Sequence, residues 1–227
     1  MSKNVIITGT SRGIGLELIK IFSNSGFNVL SLSRNISNSE NLNLANTSFL
    51  SFDITKENDH IMVKDFISKN WNTVDILINN AGLLINKNFE DTTLEDFKTI
   101  YSTNVFGVAM LTQCCLPFMK AKSQVINISS IGGVQGSVKF PGLSAYSSSK
   151  GALITLTEML AEEYKELKIN FNVLALGAVQ TEMLEEAFPG YEASVSAIEM
   201  AEYIYDFSVK GSKLINGKIL QISSSTP

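Results

Sequence analysis

A tyrosine and a lysine stand four residues apart in Tyr146-Ser147-Ser148-Ser149-Lys150. On a helix that spacing places both side chains on one face. A phenol titrates near ~10, too high for ready proton exchange at neutral pH, and a nearby ammonium stabilises the phenolate. Such a pair could pass a proton to or from an oxygen on a bound molecule. Taken singly it is a commonplace of helix surfaces, so the chemistry needs partners from other elements. Two are in view. Ser129-Ser130 closes the apolar run VINIS, and Asn104 stands in STNVFG, where asparagine, a poor helix former, marks either a functional kink or a tolerated polar residue on a partly exposed helix.

A second set of residues could hold a dinucleotide. The run Thr8-Gly9-Thr10-Ser11-Arg12-Gly13-Ile14-Gly15 follows a short β-branched stretch and precedes an amphipathic one. Glycines at that spacing permit a tight turn and let backbone N–H groups and a helix N-terminus approach a pyrophosphate. Any tight βα loop can use glycine, so the position at the head of a βαβ series adds the weight. At the end of the next strand stands Arg34, where a site for NAD(H) would usually offer a carboxylate to the ribose 2′-hydroxyl. Arg34, with Arg12 from the glycine loop, suits a 2′-phosphate; as an alternative, both are solvated surface charges. Asp53-Ile54 closes the third strand, where the acid either meets an adenine amino group or caps the following helix. Asn80-Ala81-Gly82, after the fourth strand, would let backbone lie against the same ligand, or form an ordinary polar turn.

These residues need a common scaffold, and the chain provides a regular one. Short β-branched runs alternate with longer amphipathic segments throughout, the pattern of parallel strands with crossover helices. Strands are predicted over Asn4–Thr8, Asn28–Ser33, Thr47–Asp53, Val74–Asn79, Gln124–Ser129, Lys168–Leu176 and Lys218–Ile222. Their centres are near-continuously apolar, as in strands covered on both faces. Helices are predicted over Ile14–Asn24, Thr55–Asn70, Thr93–Leu116, Ala145–Glu166 and Ser196–Phe207. The expected fold is α/β: a Rossmann-like, doubly wound, mostly parallel seven-stranded sheet with helices on both faces, in one domain over residues 1–227.

Composition narrows the function. A net charge of −4 offers no general attraction for nucleic acid or an anionic membrane. No stretch of ~20 apolar residues occurs, and the first residues lack a signal-peptide pattern, so a cytoplasmic protein is expected. Cys114 and Cys115 are adjacent in an apolar stretch and should be buried as small hydrophobes. The single histidine, His60, sits in a polar segment that reads as the start of a surface helix, and no metal site is implied.

The motifs TGTSRGIG, NNAG and YSSSK, taken in order with Asn104 and Ser130, resemble the short-chain dehydrogenase/reductase family along almost the full chain. The resemblance implies that Tyr146 is the general acid in carbonyl reduction, and that Lys150 lowers its pKa and holds the nicotinamide ribose. It further implies that Ser130 bonds the reacting oxygen, that Asn104 anchors a proton-relay water, and that Thr181 bonds the nicotinamide carboxamide. NADP(H) is expected in preference to NAD(H). Members usually form dimers or tetramers through two long helices, here those around Asn104 and Tyr146. One departure is Leu176, which replaces a proline usual in the family and removes a fixed φ. The segment after Thr181, which usually forms a lid, is short. Val134, Phe140, Leu143, Met183, Leu184 and Phe188 are candidate lining for an apolar carbonyl or alcohol substrate, or else core or subunit contacts. The competing reading is a non-catalytic NADP(H) sensor or scaffold on the same fold.

Overall fold

In a computed structural model, residues 2–211 and 214–223 are described. Seven parallel strands form one sheet in the order β3-β2-β1-β4-β5-β6-β7. They are β1 (Asn4–Thr8), β2 (Asn28–Ser33), β3 (Thr47–Ser51), β4 (Ile76–Asn79), β5 (Gln124–Ser130), β6 (Asn170–Leu176) and β7 (Ile219–Ile222). Every described pairing in this sheet is parallel, where an antiparallel edge was allowed for. The strand order reverses direction between β1 and β4, a switch point that opens a crevice at the carboxyl edge.

The apolar strands are continuous because each face meets a different helical layer. Val5, Ile7, Ile76 and Ile78 pack with Leu18, Phe22, Ile204 and Phe207. Ile6 and Leu77, one residue out of step, pack with Val63, Ile67, Leu111 and Leu153 on the other face. The first layer is α1 (Gly13–Asn24) and α8 (Ala197–Val209); the second is α3 (Glu57–Asn70), α5 (Gly107–Cys115) and α6 (Ser144–Glu163). Two short helices went unpredicted, α2 (Ser37–Glu40) and α7 (Glu182–Ala187).

The helix predicted over Thr93–Leu116 is divided. α4 (Leu94–Tyr101) starts on a capping box formed by Thr93 and Asp96. A π-helical stretch, Ser102–Phe106, follows and runs into α5. Asn104 lies at its centre, fully buried, as its poor helix propensity foreshadowed.

The polar segment around His60 forms a helix, as expected, but His60 itself is turned inward. It lies on the inner face of α3, 6% exposed, edge-on to Phe52, with Nε2 2.9 Å from the Ile54 carbonyl. A polar segment can still aim one residue inward, because helical spacing sets the face. Cys115 is buried as expected, while Cys114 is half-buried with its thiol 3.2 Å from the His60 carbonyl.

Candidate active site

The glycine loop is fixed by contacts that leave no room for side chains. Gly9 has φ +72°, and a Cβ there would stand 2.8 Å from the Ala81 Cα. On Gly15 a Cβ would lie 2.2 Å from the Gly9 carbonyl oxygen. The β4–α4 loop is bound to the same turn. Thr8 Oγ1 accepts from the backbone N–H of Asn80 (3.0 Å) and of Ala81 (2.9 Å), while Asn80 Nδ2 donates to the carbonyls of Thr8 and Gly9. Thr8 is thus a functional position that sequence reading passed over. The signal was available, since a polar residue ends an apolar strand at the sheet edge.

Deeper in the sheet, Asn79 and Asn127 are register partners on β4 and β5. Asn79 Nδ2 donates to Asn127 Oδ1 (2.8 Å), and Asn127 Nδ2 donates to Thr157 Oγ1 on α6 (2.8 Å). This buried chain fixes α6, and so Tyr146 and Lys150, to the middle of the sheet. Asn127, inside VINIS, was also missed.

A cavity of about 1000 Å³ runs along the carboxyl edge. Its walls gather Gly9, Ser11, Arg12, Gly13, Ile14, Arg34, Asp53, Ile54, Asn80, Ala81 and Gly82 at one end, and Ser130, Tyr146, Lys150 and Thr181 at the other. Gly15 and Asn104 lie behind the wall, packed against residues that form it. The volume suits a dinucleotide, with the glycine turn in one wall, Arg34 at one end and the Tyr146–Lys150 pair at the other. Arg34 is exposed and makes no ion pair among the described residues. Asp53 does not cap α3, which begins after Lys56; its carboxylate instead accepts from the backbone N–H (3.0 Å) and hydroxyl (2.7 Å) of Thr55. Although desolvation opposes ionisation, those bonds hold the Asp53 carboxyl below its ordinary value.

At the catalytic end the structure separates the two serines. Ser129 Oγ is buried and donates to the Lys150 carbonyl (3.0 Å), a tie between β5 and α6. Ser130 faces the cavity in the same wall as Tyr146 and accepts from the Gly132 N–H (3.3 Å). Lys150 is 4% exposed; its Nζ donates to the Ile128 carbonyl (2.9 Å) and lies 5.7 Å from the Tyr146 ring centre. Gly82 presses against this ammonium, since a Cβ there would stand 3.4 Å from it. Burial pushes the Tyr146 phenol up to about 12, with the neighbouring Ser130 hydroxyl pulling the other way. Burial also lowers the Lys150 ammonium to about 8. Asn104 spends its side chain on structure: Oδ1 accepts from the Leu83 N–H (2.8 Å), and Nδ2 donates to the Leu83 carbonyl (2.9 Å) and Ser149 Oγ (3.0 Å).

Helix α7 lies over the mouth. Thr181 caps it, its Oγ1 accepting from the Leu184 N–H (3.3 Å), and the Thr181 methyl packs against Gly13. Glu186 pairs with the Arg12 guanidinium through both carboxylate oxygens. At the far end Asn86 Nδ2 donates to the Ala187 carbonyl (2.8 Å). Phe140, Leu143, Met183, Leu184 and Phe188 line the cavity, whereas Val134 does not. The Val134 residue turns away because it ends a 3₁₀ turn, its carbonyl taken by Ser137 Oγ (2.9 Å) and Lys139 Nζ (2.6 Å). Leu176 keeps a fixed backbone without proline, through pairing with Ser130 on one side and Ile222 on the other.

A parallel sheet with a glycine turn at its switch point and a tyrosine–lysine–serine group farther along the same edge defines a dinucleotide-dependent oxidoreductase. The model of the short chain dehydrogenase family matches residues 3–192, and the chain belongs to that family. Its members use NAD(P) to interconvert alcohol and carbonyl carbons. A probable short-chain type dehydrogenase/reductase, VdlC, of Helicobacter pylori is 34% identical over 94% of this chain and 79% of its own. The 3-oxoacyl-[acyl-carrier-protein] reductase of Chlamydia trachomatis is 30% identical over 81% of this chain and 76% of its own. Among solved structures, a 3-ketoacyl-(acyl-carrier-protein) reductase of Brucella melitensis complexed with NADH superposes with TM-score 0.84 at 27% identity, covering 97% and 96% of the two chains. ElxO with NADP bound superposes with TM-score 0.83 at 29% identity, covering 98% and 97%.

Proposed function

We propose that this protein is a single-domain cytoplasmic carbonyl reductase that takes its reducing equivalent from NADPH in preference to NADH. The observation that carries the reading is the meeting of Tyr146 and Ser130 in the cavity wall, with the Lys150 ammonium buried behind them. The reduced nicotinamide, when bound, supplies the hydride for the carbonyl carbon. Tyr146 gives its phenolic proton to the carbonyl oxygen, which becomes the hydroxyl of the alcohol, while Ser130 donates a hydrogen bond to that oxygen as charge builds. Lys150 holds the ribose hydroxyls and balances the phenolate. The proton returns to Tyr146 from water held near Asn104.

Arg34 reads the 2′-phosphate, and its lack of an ion pair among the described residues supports that role. Asp53 and Ile54 border the adenine, Asn80 to Gly82 lie along the middle of the cofactor, and Thr181 approaches the carboxamide. The substrate end is walled by Phe140, Leu143, Met183, Leu184 and Phe188, which favours an apolar ketone or aldehyde over a highly charged one. Exposed Phe106, Met110 and Met159, on the helices around Asn104 and Tyr146, support assembly as a dimer or tetramer.

The test is NADPH and NADH oxidation against β-ketoesters, diketones, quinones and aldehydes, with Tyr146→Phe alongside. NADPH-selective turnover is expected to fall at least ~100-fold in the variant, with dinucleotide binding kept. Binding without turnover on the panel, unchanged by Tyr146→Phe, would instead identify a dinucleotide sensor.

A further inference from the structure

Two arginines reach the phosphate end of the cavity, and their circumstances differ. Arg34 makes no ion pair among the described residues. Arg12 is held in a two-pronged pair by Glu186 of α7, 174 residues away in the chain. The pair is unlike the other ion pairs: Lys20–Glu17, Lys165–Glu162 and Lys210–Asp206 are local helix contacts or close neighbours, and Lys87–Asp96 stays within one loop and helix. A second carboxylate reinforces it, since Glu182 Oε2 lies 3.5 Å from where a Gly13 Cβ would stand and also attracts Arg12. The short helix that closes the cavity therefore brings acidic oxygens to the loop that must receive phosphates.

We infer that Glu186 is a specificity-determining residue for the dinucleotide: it occupies the Arg12 guanidinium, so the 2′-phosphate of NADP(H) must outcompete a carboxylate for that side chain, whereas NAD(H) has no such exchange to make. The inference rests on the reading of this cavity as an NADP(H) site. A guanidinium fork accepts carboxylate or phosphate oxygens in the same two-pronged geometry, so the exchange is one of partners rather than of conformation. Helix α7 need not leave when Glu186 lets go. Thr181 caps its first turn and Asn86 holds the Ala187 carbonyl, and neither contact involves Arg12. Glu186 consequently acts by weakening NADP(H) selectively, and Arg34 carries the preference that remains.

The experiment is equilibrium binding of NADPH and NADH, without substrate, to the wild type, Glu186→Gln, Arg12→Gln and the double variant. Exposed pairs of this kind are weak, so Glu186→Gln is expected to tighten NADPH by about two- to fivefold. NADH should change by less than about half as much. In the Arg12→Gln background the Glu186 substitution should change neither. A Glu186→Gln protein that binds NADPH no better than wild type overturns the inference, as does an equal gain for both dinucleotides. A wild type that binds neither dinucleotide removes the oxidoreductase reading itself, while one that binds both with the Glu186 effect absent removes the inference alone.

Discussion

Lys150 carries a cost that pH should reveal. The buried ammonium loses its proton at about 8 rather than at 10.5, because desolvation disfavours its charged form. Below about pH 8 the folded protein bears the full cost of burying that charge, about 3 kcal/mol for a shift of this size. Between about pH 8 and 10.5 the unfolded chain still holds the proton that the folded one has shed, so stability rises with pH across this window. Integration gives a gain of about 2 kcal/mol from about pH 7 to 9.5, and about 3 kcal/mol once the window is crossed. Tyr146, pushed up to about 12, acts in the opposite sense above about pH 10, where the folded protein retains the proton. Its contribution is common to wild type and Lys150→Met and cancels in their difference. The bond to the Ile128 carbonyl, lost in the variant, shifts the difference by an offset and does not supply its rise with pH. The assay is urea unfolding followed by circular dichroism at a series of pH values, without dinucleotide. The stability of wild type relative to Lys150→Met should climb by the stated amount. A difference that stays flat with pH would mean that the ammonium is solvated or paired, and would remove the basis for placing it behind the tyrosine.

The two serines should separate cleanly. Ser130→Ala is expected to lower kcat by about 100-fold with little effect on melting, whereas Ser129→Ala, which breaks the tie to the Lys150 carbonyl, should lower stability by about 1 kcal/mol; steady-state kinetics with thermal melts checks both. Thr8→Val keeps the shape but leaves the Ala81 N–H without its acceptor, while the Asn80 N–H keeps only the Ile78 carbonyl (3.1 Å). It should cost about 2 kcal/mol or more in urea unfolding and weaken binding of both dinucleotides alike.

Much of the scaffold was legible because strands buried on both faces leave an unbroken apolar record, with residues one step apart serving opposite layers. The positions of Tyr146, Lys150 and the glycine turn were legible for a related reason: fixed local spacing becomes fixed geometry once the element type is known. What was hidden depends on phase or on long-range contact. A run that ends in two serines does not say which faces the ligand, and only the bond from Ser129 to α6 settles the alternation. His60 sits among charged residues, yet the turn of α3 aims it at Phe52. Asp53 reads as a helix cap until the helix begins three residues late and the carboxylate closes on Thr55 instead. Glu186 and Asn86 act across 174 and 101 residues, respectively, and nothing near either one announces its partner.

Burial and direction of reaction are linked at this site. A phenol titrating at about 12 and an ammonium titrating at about 8 are both protonated at neutral pH, so the resting pair is loaded to give a proton rather than to take one. In the proposed reduction that is the form required, because the carbonyl oxygen must receive a proton as its carbon receives hydride. Alcohol oxidation needs the reverse, a phenolate formed against desolvation with only the buried ammonium to steady it. Raising the pH does not supply both conditions at once, since Lys150 loses its charge well before Tyr146 loses its proton. The same desolvation that makes Tyr146 a reluctant base therefore keeps its proton in place at neutral pH, the form that the proposed reduction uses.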